Sequence, residues 1–67
     1  VTSNDLKDFM TKHELTTYDM SIITGKQLRT VQLWLAGRPI PWLVSLMVKA
    51  VNENKLSLDW IAEQIEA

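Results

Sequence analysis

LTTYDMSIITGKQLRTVQLWLAGRPIP, residues 15 to 41, is the stretch on which the fold turns. Thr16 followed three residues later by Asp19 has capping-box spacing, in which hydroxyl and carboxylate each bond the other residue's backbone amide. It predicts a helix from Thr17 to about Thr24. Gly25 ends that helix, because glycine takes the left-handed conformation just past a last turn at low steric cost. A second helix then starts near Gln27 and spaces Leu28, Val31, Trp34 and Leu35 three or four apart, on one face. Gly37 and Pro39 stop it.

Working outward, helical spacing continues on both sides, and no run of strand-like alternation competes with it. Upstream, Thr2 or Ser3 can cap a helix, Asp5 sits near its positive end, and Leu6, Phe9 and Met10 make an inward stripe. Lys12 to Leu15 leads out of that helix. Downstream, Ile40 and Pro41 open a fourth helix, since proline is tolerated in a first turn where its missing N–H costs nothing. Leu43, Leu46, Met47, Ala50 and Val51 are its expected buried stripe. Asn52 to Lys55 is a polar break, and Ser57 caps a last helix with Leu58, Ile61 and Ile65 on one face. The expectation is one all-α domain over residues 1–67, a compact bundle of five short helices.

Sixty-seven residues bury only roughly 60% of the surface that the unfolded chain exposes, so the core must be efficient. A composition 46% hydrophobic and 22% charged, with two glycines and two prolines, suits a compact helical protein. Without cysteine there is no disulfide, thiol chemistry or cysteine zinc site, which fits a reducing cytosol. No apolar run is long enough to span a membrane and no signal pattern opens the chain, so it reads as soluble. A start at Val1 rather than methionine fits either a trimmed protein or a domain of a longer one.

The net charge of −1 argues against a nucleic-acid partner, but its distribution argues for one. Residues 1–19 sum to −2 and residues 53–67 to −3. Between them Lys26, Arg29, Arg38 and Lys49 stand without any acidic residue, a local +4. Attraction to phosphate follows local potential, not the total.

A two-helix DNA reader needs a sharp turn, a small residue where the helices cross, and an apolar plug on the second helix. Gly25, Ser21 and Val31 supply these in order, and Trp34 anchors the second helix to the core. These residues, with Leu15-Thr16, Thr30 and the tail Trp34-Leu35-Ala36-Gly37 before Pro41, resemble the lambda-repressor-like, Cro-type helix-turn-helix regulators. In that family a leucine and threonine open the second helix, and a Trp-x-x-Gly-x-x-x-Pro tail often closes the third. Ser21 stands where alanine is usual. Lys26 stands where an apolar residue is usual, and either covers the core edge with its stem while reaching a phosphate or marks an altered turn.

The resemblance implies a helix-turn-helix over residues 17–37, with Gln27, Leu28, Arg29, Gln32 and Leu33 facing the major groove. The chemistry agrees: glutamine pairs bidentately with adenine, arginine with guanine, and leucine touches a thymine methyl. The Thr17 amide at a positive helix end, Lys26, the Thr30 hydroxyl and Arg38 are the phosphate candidates. The implied protein is a sequence-specific regulator of phage or bacterial type, a repressor, cytoplasmic and nucleoid-associated. It would bind double-stranded DNA as a homodimer on an inverted repeat.

Other readings of single residues are plainer. Trp34 is core, whereas Trp42 and Trp60 are either core or an aromatic-anchored dimer contact. Met10, Met20 and Met47 fill gaps. His13 is an exposed loop histidine, since it has neither a second histidine nor a cysteine to form a metal site or dyad. No cofactor, metal, catalytic group, membrane or small-molecule ligand is implied, and an enzyme is not expected. The competing reading is a protein-interaction module of antitoxin or antirepressor type, suggested by the acidic ends and by Trp42 and Trp60. Another is the DNA-reading part of a longer recombinase or packaging protein.

Overall fold

Threonine caps start the first two helices. In the computed structural model, which describes residues 1–66, Thr2 Oγ1 accepts from the Asp5 amide at 3.2 Å while the Asp5 carboxylate accepts from the Thr2 amide at 2.9 Å. This capping box opens α1 (Ser3–Lys12), and hydrogen bonding from Thr2, first its backbone amide and then its hydroxyl, holds the Asp5 carboxyl below its ordinary pKa. The same box at Thr16 and Asp19, with bonds of 3.1 and 2.9 Å, opens α2 (Thr17–Thr24). The next two helices, α3 (Leu28–Leu35) and α4 (Trp42–Asn52), have no side-chain cap: Gln27 and Pro41 occupy their N-cap positions. Pro41 therefore stands just before the first turn rather than in it. Ser57 Oγ accepts from the Trp60 amide at 3.0 Å and caps α5 (Leu58–Glu66).

Three helices close with one hydrogen-bond pattern. After α1 the Leu15 amide donates to the Met10 carbonyl at 2.8 Å and the Glu14 amide to Thr11 at 3.2 Å. After α3 Arg38 donates to Leu33 and Gly37 to Trp34; after α4 Lys55 donates to Ala50 and Asn54 to Val51. Each is a Schellman motif, which satisfies free carbonyls by placing one residue in left-handed backbone. That residue is Gly37 (φ 111°) only after α3; Glu14 (φ 55°) and Asn54 (φ 59°) serve after the other two. Gly25 ends α2 at φ 70°, donating to the Ile22 carbonyl, as expected from its place in the sequence.

The described residues thus form five α-helices and no strand, in a radius of gyration of 11.1 Å, against about 11 Å for a fully collapsed chain of this length. The α2 helix packs mainly on α3, α1 on α3 and α4, and α5 on α2. A single core gathers Leu6, Phe9 and Met10 from α1, Met20 from α2, Val31 and Trp34 from α3, Val44, Val48 and Val51 from α4, and Ile61 from α5. Trp34 is 3% exposed.

The core corrects the expectations for Leu43 and Leu46, Leu28, Ile65 and His13, and it decides the open one for Trp42 and Trp60. In α4 the inward residues are Val44, Val48 and Val51; Leu43 and Leu46, expected inside, are 68% and 48% exposed. Of that expected stripe, Val51 is buried, and Met47 and Ala50 are half-buried. Leu28 does not share the inward face of α3, and Ile65 does not share that of α5. Trp42 and Trp60 lie outside the core, at 72% and 50% exposed. His13 is not an exposed loop residue but the half-buried C-cap of α1, its ring centroid 4.8 Å from that of Phe9 and its Nε2 buried without a partner.

Candidate nucleic-acid interface

Burial sorts the positions of α3 cleanly. At about 100° per residue, Leu28, Gln32, Arg29 and Leu33 fall within an arc of roughly 140°. All four are exposed. Val31 and Trp34 occupy the opposite side and are buried, and Thr30 and Leu35 lie between, half-buried. Gln27 precedes the arc as the exposed N-cap residue. The five candidate base-reading residues therefore line the outside of one element, held there by a Val31 with no exposed surface and a nearly buried Trp34.

The sequence explains why this face is polar and available. α3 has no acidic residue in its first turn and no side-chain cap, so the N–H groups of that turn are left for other partners. Among the described residues, none of the side-chain hydrogen bonds uses Gln27, Arg29, Gln32 or Arg38. Leu28 and Leu33, 43% and 37% exposed, are the apolar part of the face. The eight residues of α3 extend about 12 Å, which matches the width of a B-DNA major groove.

The phosphate candidates lie at the margins. Lys26 is exposed in the three-residue connection between α2 and α3, and its amide donates to Thr24 Oγ1 at 3.4 Å. Thr24 Oγ1 in turn donates to the Met20 carbonyl at 2.7 Å, so the end of α2 is fastened locally and the lysine side chain is left outside. Arg38, also exposed, donates from its amide to the Leu33 carbonyl in the Schellman closure of α3. Lys26 and Arg38 thus bracket the helix in the chain. Thr30 is half-buried at the edge of the arc. Thr17 is half-buried in the first turn of α2, beside Asp19, whose carboxylate occupies the same positive helix end through its bond to the Thr16 amide. A phosphate at Thr17 shares that end with a negative charge, so Thr17 is the weakest of the four anchors.

Two exposed features were missed in the sequence. Leu43 and Leu46 join Trp42 in an apolar surface, and Tyr18 and Ile22 are exposed one turn apart on α2. The signal for the first was present: across Trp42–Asn52 the only charged residue is Lys49. Such a helix has no fully polar side to turn outward. Among the described residues no group of three or more His, Asp or Glu side chains is placed to hold a metal ion, and no helix is long and apolar enough to cross a membrane.

No protein-family model matches the chain, and neither curated proteins nor solved structures give a match.

Proposed function

We propose that this chain is a sequence-specific double-stranded-DNA-binding regulator of the lambda-repressor-like, Cro-type class, a repressor rather than an enzyme, that inserts α3 into the major groove. One observation carries the reading: Leu28, Arg29, Gln32 and Leu33 share the exposed side of a helix whose other side is locked into the core. Arginine and glutamine are the side chains that pair bidentately with guanine and adenine, and leucine supplies contact with thymine methyls. The acid-free segment from Met20 to Asn52 surrounds this face and favours phosphate approach despite the net charge of −1. Lys26 and Arg38 are the preferred phosphate contacts, with Thr30 and Thr17 secondary.

Selection of bound duplexes from a random pool, followed by titration at two salt concentrations, tests this. The expected result is an enriched motif, affinity falling with salt, and loss of selectivity in an Arg29→Ala, Gln32→Ala double variant. No binding at low salt, or binding without salt dependence, rejects the reading.

The exposure of Trp42 and Trp60 favours a second reading, a module that grips another protein through the same scaffold. The double variant separates the two, since a protein contact away from α3 survives it.

A further inference from the structure

We infer that the groove between α2 and α5 docks a basic amphipathic helix of a partner protein, one whose aliphatic anchors are flanked by lysine or arginine. Leu15, Ile22, Ile23, Leu58, Ala62 and Ile65 give the groove its apolar lining. Leu15, Ile23 and Leu58 are half-buried and pack on the core, whereas Ile22 and Ile65 stay 41% and 45% exposed. Two helices thus turn an isoleucine toward the same open space of about 300 Å³. Among the described residues, every charged or polar side chain that lines it is a carboxylate: Asp19, Asp59 and Glu66. None of the α3 residues assigned to DNA takes part, so the inference stands apart from that reading.

Charge selects the occupant. The two helices that wall the groove carry Asp19, Asp59, Glu63 and Glu66, and neither has a lysine or arginine. The cations next along the chain, Lys26 after α2 and Lys55 before α5, do not line it. A second copy laid on the groove about a twofold axis would set these carboxylates against their equivalents, and nucleic-acid phosphate would meet the same repulsion. A cationic partner is attracted by both walls. Its shape follows from the same surface. Among the described residues there is no strand to which an extended peptide can add, and no aromatic residue lines the groove to receive a proline-rich one. Of the common recognition modes, a helix laid between two helices remains, its anchors one turn apart and its charges beside them. The volume is at the bottom of the range for small-molecule pockets, which suits a few aliphatic anchors rather than an enclosed ligand.

The probe is a synthetic peptide of about 14 residues with leucine at every third or fourth position and lysine elsewhere. Its control keeps the leucines and replaces lysine by glutamate. Titration into the full chain, followed by amide resonances, should show the lysine peptide binding at least about tenfold tighter than the control, less tightly as salt rises, with shifts concentrated on α2 and α5. The Ile22→Ser, Ile65→Ser variant should lose about tenfold or more in affinity, because the anchors lose their contacts. The Asp59→Asn, Glu63→Gln, Glu66→Gln variant should bring the two peptides to within about threefold of each other. Trp42→Ala and Trp60→Ala should change neither affinity. All the substituted residues are exposed, so the helical circular dichroism of each variant should match the wild type. Equal affinity for the two peptides, no binding of either up to about 1 mM, or binding that survives the paired isoleucine variant overturns the assignment. Loss under Trp42→Ala alone also overturns it, by moving the contact to α4. So does a wild type that sediments as a dimer and becomes monomeric in the isoleucine variant, which gives the groove to a second copy.

Discussion

Glu14 and Asn54 hold left-handed backbone with full side chains, where a glycine would hold it without steric cost. Glu14→Gly should therefore raise stability by about 1 kcal/mol, seen as an increase of roughly 4–8 °C in the unfolding midpoint. Asn54→Gly should give less, because asparagine tolerates that region better than glutamate. The reverse substitution is informative too. Nothing lies within 4 Å of a Cβ built on Gly25 or Gly37, so Gly25→Ala and Gly37→Ala report backbone strain alone. Each should lower stability by about 1 kcal/mol without a cavity or a clash. Asp5 sets a pH dependence. Its folded pKa is depressed chiefly by the hydrogen bonds from Thr2, so its contribution is complete above about pH 4 and is lost as pH falls through the depressed value. Asp5→Asn should show a smaller loss of stability over that acid range than the wild type; an unchanged acid profile would remove Asp5 from the account.

At the scale of elements, what a local rule decides was legible in the sequence, and what packing decides was not. The Thr16–Asp19 box, Gly25 and the Trp34 anchor follow from short-range geometry, and the structure has them where spacing puts them. The α4 register did not follow, because Leu43–Leu46–Ala50 and Val44–Val48–Val51 both satisfy helical periodicity. The choice falls to α1, and the three short branched valines are the side chains that enter the core it shares with α4. Val48→Ala should accordingly cost about 2 kcal/mol, and Leu46→Ala about 0.5 kcal/mol or less in the monomer; equal costs would mean that the register is wrong. For α3 the division between face and margin makes a further prediction. Arg29→Ala should lose about 1–3 kcal/mol of binding and relax preference at one base pair, whereas Lys26→Ala should weaken all sequences alike and reduce the salt slope by about one. His13 was legible in part: it stands four residues after Phe9 and its amide makes the helical bond to the Phe9 carbonyl, so the spacing itself lays the two rings together once α1 is continued to its C-cap.

Across the whole molecule, charge is partitioned rather than abundant. The +4 segment lies between acidic ends, so long-range attraction to DNA should be modest and binding should depend on few phosphates. A salt slope corresponding to about two or three neutralised phosphates per domain is expected, from Lys26 and Arg38 with the charge of Arg29 nearby; a much steeper slope would require cations outside this segment. The tryptophans bring an optical consequence. Trp34 lies on the inward face of α3 in the core, Trp60 is half open to water on α5, and Trp42 is mostly exposed on α4. Iodide should quench emission from Trp42 first and from Trp34 last. Replacing Trp60 by phenylalanine would leave one buried and one open emitter: the wavelength of the first follows unfolding, and the quenching of the second follows coverage of α4. The chain carries its own spectroscopic labels, and no dye is needed to tell assembly from folding.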